Sequence, residues 1–174
     1  MALLSDYAQR KKLEHFFSKI DKKDHILEVG CADGWVGKYA KENGYKNFTG
    51  LDILPNADAD VIGDVNDWKK LGLKESSYDA IIAFEVVEHG DFAKTFNSLL
   101  KPGGKLFVTT PLPHMDWACN ILEKMKLNQT RSSAHTHLTY LEDVPHLKLV
   151  ENKIMGFMSQ WGIFTKGDLE TNEN

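Results

Sequence analysis

A chain of 174 residues with 42% hydrophobic and 26% charged residues suits a single globular domain with a sizeable core. Its net charge of −4 argues against the basic face that nucleic-acid binding requires, and Arg10-Lys11-Lys12 reads as the solvated side of a helix. Cys31 and Cys119 have neither metal nor disulfide spacing, and no window reaches signal-peptide or membrane-span length, so a reducing, cytoplasmic setting without membrane contact is expected.

Leu3, Leu4, Leu13, Phe16, Phe17 and Ile20 recur at helical spacing and predict an amphipathic first helix over 3–20. "HILEVG" is a buried strand, and "WVGKYAKENG" a helix stopped by Gly44. "NFTGLD" and "ADVIGD" give a second and a short third strand, and "YDAIIAFEVV" a fourth that is apolar on both faces. "DFAKTFNSLL" returns to helical spacing, "KPGG" is a turn, and "KLFVTTP" is a fifth strand. An excursion over 111–134 contains a helix near 116–127, and Thr139 with Glu142 form a capping box for a helix that Pro145 keeps short. "LKLVENKIMGF" reads in part as a last strand pair. Residues 1–165 form one domain, and 166–174 a polar, frayed tail. Strands alternating with helices predict an α/β fold, doubly wound, with helices on both faces of a mostly parallel sheet.

The stretch "ILEVGCADGW" raises the chemical question. Ligands of such sheets bind beyond the carboxyl ends of the strands, and Gly30 and Gly34 leave the first strand–helix turn open to close approach. Asp52, 18 residues beyond Gly34, ends the second strand where a carboxylate can accept from a ribose diol. A dinucleotide fingerprint needs a third small residue, but Trp35 stands in that slot, and Asp33 would repel a pyrophosphate. Glu28, Asp33 and Asp52 instead favour a cationic ligand, and S-adenosylmethionine (SAM) carries both a sulfonium and an ammonium. A buried Glu28 is costly unless partnered, so it is expected to accept from the N–H groups of the following loop.

With "LEVGCADG", "LDI", "GDV", "YDAIIAFEVVEH" and "LKPGGKLFVTTP" in order, the chain resembles the class I SAM-dependent methyltransferases, strongly over 24–111 and weakly over 135–157. The resemblance implies a Rossmann-like fold with an antiparallel C-terminal strand. It further implies that Gly30, Cys31, Ala32 and Gly34 line the methionine part of SAM, with Glu28 anchoring the loop. Asp52 would hold the ribose hydroxyls, Ile53 would lie beside the adenine, and Asp64 and Val65 would meet its edge. Phe84 and Glu85 would lie beneath the methionine portion, and Asp33 sits within the loop. Relatives often carry glycine where this chain has Ala32. Asp52 and Asp64 could equally be turn caps.

Candidates for a base are Glu88, His89, His135 and His137, and "EH" in this position can instead serve cofactor binding or loop structure. "HTHLTYLEDV" is similar to a stretch near the active-site mouth of ubiquinone-type O-methylating enzymes. No third ligand accompanies His135 and His137, so no metal is expected. His114, Trp117 and Arg131 are candidates for the acceptor pocket, and Tyr7 either closes over SAM or packs. Without a "[DNS]-P-P-[YF]" turn, base methylation is disfavoured. The expected reaction yields S-adenosylhomocysteine and a methylated small molecule, at oxygen ahead of nitrogen, sulfur or carbon. A homodimer or partner chain could complete the lean pocket, and a non-catalytic SAM-binding subunit or a protein acceptor are the alternatives.

Overall fold

The computed structural model describes residues 2–113, 140–156 and 159–167. Helix α1 (Ala2–Phe17) is followed by β1 (Ile26–Val29), α2 (Trp35–Glu42), β2 (Phe48–Asp52) and the two-residue β3 (Val61–Ile62). Then come β4 (Tyr78–Phe84), α3 (Ala93–Leu99), β5 (Leu100–Pro111), β6 (Leu147–Met155) and β7 (Ser159–Lys166). They build one sheet in the order β3-β2-β1-β4-β5-β7-β6. The pairs from β3 to β5 are parallel, and β7 runs antiparallel to both β5 and β6. The strand order reverses between β1 and β4, which opens a crevice at their carboxyl ends.

Both faces of the sheet are covered, which explains why all four residues of β1 are buried. On one face Phe16 and Phe17 of α1 and Val36 and Ala40 of α2 pack over Ile26, Ile82, Phe107 and Trp161. Phe16 meets Phe107 edge-on at 5.7 Å between centroids, a favoured aromatic geometry. On the other face Phe96 and Leu99 of α3 pack over Leu27, Ile81, Leu106 and Phe164.

Three expectations change. Helix α1 ends at Phe17 rather than residue 20, although Ile20 is still buried beyond it. "KPGG" does not separate helix from strand: β5 begins at Leu100, directly after α3. Tyr78 pairs with Leu100 and Ala80 with Lys105, so the turn residues form an outsized bulge inside the strand, with Gly103 at φ 79°. Beyond 147 the sheet gains two full strands, and Trp161, Ile163 and Phe164 of β7 are core residues. Lys166, read from sequence as tail, closes β7 and donates to the Leu100 carbonyl at 2.8 Å. The expected helix near 116–127 and the Thr139 cap lie outside the described residues; Leu141–Asp143 form a single 3-10 turn, and Pro145 follows it.

A bulge in β6 sets one inter-element contact. Leu149 and Glu151 pair with the consecutive residues Phe164 and Ile163, so Val150 is supernumerary and the side-chain alternation flips there. Leu147 and Leu149 pack on the α3 face, while Glu151 reaches α1 and the turn after it, where His15 Nε2 lies at 3.2 Å and Lys19 Nζ at 2.8 Å. Hydrogen bonds from Lys19 and Lys153 hold the Glu151 carboxyl down at about 2. A depressed carboxyl stabilises the fold above its unfolded pKa and loses that stabilisation as pH falls through the folded one. Glu151→Gln is therefore expected to cost about 1 kcal/mol at pH 7 and nothing near pH 2, a partly solvated ion pair being worth little more. Chemical denaturation at both pH values reads this, and an equal loss at the two would rule out the charge as the cause.

Candidate active site

The turn from β1 to α2 holds the glycine loop. Gly30 has φ 77°, Ala32 φ 47° and Gly34 φ 70°, so three of its five residues take left-handed backbone. Ala32 pays a steric cost there that glycine would not, which accounts physically for the glycine common at this position in similar sequences. Both glycines lie tight against the rest of the fold. A Cβ on Gly30 would stand 2.4 Å from Val86 Cγ2, and one on Gly34 2.9 Å from Asp58 Oδ2. The groups that pass close to the two glycines are the protein's own side chains, one after β4 and one before β3. Asp58 N–H donates to the Ala32 carbonyl at 2.8 Å, and Cys31 Sγ lies 3.6 Å from the Asp58 carbonyl. Burial pushes the Cys31 thiol up to about 12, so it is a packing group and not a nucleophile.

The loop is anchored by Asp52, not by Glu28. Asp52 Oδ2 accepts from Ala32 N–H at 2.8 Å, and Oδ1 from Leu54 N–H at 2.9 Å. The N–H groups of Gly30 and Cys31 go to the Leu51 carbonyl. Glu28 is 3% exposed and its Oε2 has no hydrogen-bond partner. Loss of water, then the neighbouring charges of Asp52 and Asp33, push its carboxyl up to about 8. An orphaned buried carboxyl oxygen beside two further carboxylates is a setting that a cationic ligand would relieve, and SAM fits it.

A second polar cluster stands at the ends of β4 and β5. Phe84 stacks with Trp35 at 6.3 Å, and Glu85 follows it at φ 56° with its N–H on the Thr109 carbonyl at 2.8 Å. Lys12, read from sequence as solvated, reaches in from α1. Its Nζ donates to Glu85 Oε1 at 3.2 Å and Thr109 Oγ1 at 3.1 Å, and lies 5.2 Å from the Phe84 ring centre. Arg10 and Lys11, by contrast, pair with Glu14 on the surface. A 3-10 turn, Val87–His89, follows β4. In it Glu88 is buried and accepts from Thr110 Oγ1 at 3.0 Å, and burial together with the Glu85 charge pushes its carboxyl up to about 8. His89 is half-buried in the same turn.

Other candidates fall at the periphery. Tyr7 is 61% exposed on α1, and Ile53 64% exposed just past β2. Asp64 caps a 3-10 turn, accepting from Asn66 N–H at 2.9 Å, and Val65 is buried within that turn. His114, Trp117, Arg131, His135 and His137 lie outside the described residues. Gln160, which no motif or spacing singles out, is buried and bridges the flanks of that segment. Its Nε2 donates to the Pro111 carbonyl at 3.3 Å, and its Oε1 accepts from Leu141 N–H at 3.2 Å. Among the described residues no group of three His, Cys, Asp or Glu is arranged to hold a metal, and no helix is long and apolar enough to cross a membrane.

The sheet reverses order between β1 and β4, carries its glycine loop at that reversal and inserts an antiparallel β7 between β5 and β6, which is the architecture of the class I SAM-dependent methyltransferases. The chain belongs to the methyltransferase domain family, which it matches over residues 4–148. No curated protein matches it in sequence. Among solved structures it is similar to the PH0226 protein of Pyrococcus horikoshii, with 15% identity, TM-score 0.65 and coverage of 92% of this chain and 91% of that one. A SAM-dependent methyltransferase from Mesorhizobium loti gives 14% identity, TM-score 0.64 and coverage of 89% and 97%. A complex of the Haloferax volcanii Trm112 methyltransferase activator with a methyltransferase gives 16%, 0.61, and 88% and 86%. At such identities these likenesses speak for the fold, and the family match carries the activity.

Proposed function

We propose that this methyltransferase acts on a small-molecule acceptor at an oxygen nucleophile, with the glycine loop, Glu28, Asp52 and the 84–85 segment receiving SAM. The orphaned Glu28 Oε2, buried beside Asp33 and Asp52, is the observation that carries the cofactor site. When bound, SAM supplies a methyl group on a sulfonium, whose sulfur leaves as a neutral thioether without acid assistance. The chain's own contribution is alignment, which can lower a barrier by up to about 7–11 kcal/mol in favourable cases. Asp52 fixes Ala32 and hence the loop, and its remaining lone pairs suit a ribose diol. Cys31, Gly30 and Gly34 present backbone to the ligand, Ile53 flanks the adenine, and Asp64 and Val65 address its edge. An oxygen acceptor must lose a proton, and His89, half-buried in the turn after β4 next to the buried Glu88, is a candidate to take it. His135 and His137 are further candidates for this role, with His114, Trp117 and Arg131 for acceptor binding and Tyr7 for covering the cofactor.

A partner chain or a second copy completing the acceptor pocket is a compatible arrangement, supported by the likeness to the Haloferax methyltransferase–activator complex. Light scattering of the purified protein distinguishes monomer, dimer and co-purified partner.

The test is calorimetry with SAM and S-adenosylhomocysteine, with NAD as control and Asp52→Ala beside the wild type. Micromolar binding of both sulfur ligands is expected, weakened at least about tenfold in the variant through loss of charged hydrogen bonds. Binding of NAD alone would overturn the cofactor assignment. An acceptor screen by S-adenosylhomocysteine release then addresses the substrate.

A further inference from the structure

Helices cover the two faces of the sheet unequally. Among the described residues one face carries α1 and α2, whereas the other carries the seven-residue α3 and short 3-10 turns. Beside α3 stands the turn Leu141–Asp143, which Pro145 keeps from lengthening. Leu141 is seated deeply because Gly162 lacks a side chain: a Cβ there would stand 2.5 Å from Leu141 Cδ1. Val144 and Leu147, which follow the turn, stay half-buried, as do Val87 and Phe92 on the α3 side. Between these two walls lies a cavity of about 420 Å³, floored by Val108 of β5 and Phe164 of β7.

The volume is that of a small-ligand cleft, and the charge around it has one sign. Asp91 lines the cavity on the α3 side and Asp143 on the side of the turn, and no Lys, Arg or His lines it. Both aspartates are exposed, and neither carboxylate has a hydrogen bond or ion pair among the described residues. An apolar hollow with unopposed carboxylates at its rim is the complement of an organic cation. The rings or methylenes of such a molecule leave water for the floor, while its ammonium stays wet beside the acids. No residue of the glycine loop lines the cavity, so it is separate from the crevice at β1. At one end Val87 and Gly90 bracket Glu88 and His89, and an occupant therefore touches the turn after β4 from the face away from α1.

We propose that this cavity binds a small organic cation, with an apolar body against Val108 and Phe164 and a protonated amine held by Asp91 and Asp143. The site stands independently of the cofactor reading above. It gives the turn that carries His89 a second ligand-facing side.

The test titrates isotope-labelled protein with phenylbutylamine, phenylbutanol and phenylbutyrate, which share one apolar body and differ in charge, while backbone amide resonances are followed. The amine is expected to shift the amides of Phe92, Val144 and Leu147. It should bind about fivefold tighter than the alcohol, the order that two exposed carboxylates supply, and the acid should bind weakest. Asp91→Asn combined with Asp143→Asn should bring amine and alcohol within about twofold of each other, and retained alcohol binding shows that this variant is folded. Val144→Trp, which fills the cavity, should weaken both at least about fivefold. S-adenosylhomocysteine should not displace the amine. Shifts located elsewhere, displacement by S-adenosylhomocysteine, no preference for the amine, a preference that survives both asparagines, or no binding would each overturn the proposal. Cavity amides that move with protein concentration alone would make a second copy of the chain the occupant, and would overturn it as well.

Discussion

Glu28→Gln is expected to make the protein more stable than wild type at pH 9 and to leave the two nearly equal at pH 5. The Glu28 carboxyl is pushed from 4.5 up to about 8 by burial, then by Asp52 and Asp33. Between those values the unfolded chain has released the proton and the folded one has kept it. Folded protein therefore binds more protons, and stability falls as pH rises through that window. Over the shift to about 8, the decline attributable to Glu28 is at most about 4–5 kcal/mol, at 1.36 kcal/mol per pH unit. Glutamine preserves the shape and removes the titration. Because Glu88 is raised in the same direction, the variant should keep part of the slope rather than lose all of it. Urea denaturation at pH 5, 7 and 9 measures the difference. Parallel curves for the two proteins would show that Glu28 is solvated or partnered in solution. A cationic ligand near Glu28 should lower its pKa again, so SAM binding should release a proton, seen as a buffer-dependent binding enthalpy.

Gly30→Ala should cost about 3 kcal/mol, the sum of two effects of comparable size. A φ of 77° is penalised by about 1–2 kcal/mol for any residue with a Cβ. The added methyl would also stand 2.4 Å from Val86 Cγ2, and valine has no long stem with which to yield. Overpacking of this kind costs typically about 1–3 kcal/mol. The two parts separate in a double-mutant cycle. Val86→Ala in the Gly30→Ala background should recover the steric part, giving a favourable coupling of about 1–2 kcal/mol, and should leave the backbone part in place. A loss below about 0.5 kcal/mol for Gly30→Ala would contradict both the conformation and the contact.

These two residues mark what the sequence conveys and what it does not. Strand and helix periodicity located β1, β2, β4 and α2 because burial follows the period of each element, continuous along β1 and four residues apart, at Val36 and Ala40, along α2. The antiparallel C-terminal strand that the resemblance implies is present as β7, but residue pattern does not locate it, because "QWGIFT" mixes a buried glutamine and a glycine into its core residues, and their roles depend on partners far along the chain. The positions of Gly30 and Asp52 were legible, but their reasons were not. Gly30 accommodates Val86, 56 residues later, and Asp52 fastens the loop that Glu28 was expected to fasten. Lys12 was hidden by its neighbours: in a run of three basic residues on one helix, only the packing angle decides which one turns inward. Nothing local distinguishes it from Lys11, which stays with Glu14 at the surface.

The place of β7 between β5 and β6 has a bearing on how the chain is assembled in time. Along the sequence β7 follows every other strand of the sheet, yet in space it lies inside it, joined to β5 over seven residue pairs. A growing polypeptide can complete β1 to β5 as soon as Pro111 has emerged, with one flank of β5 still bare. That flank carries Leu106, Phe107 and Val108, a short apolar stretch of the kind that recruits foreign strands. Until residues 159–166 arrive, the nascent protein is at its most vulnerable to misassociation, and chaperone engagement should be densest in that interval of synthesis.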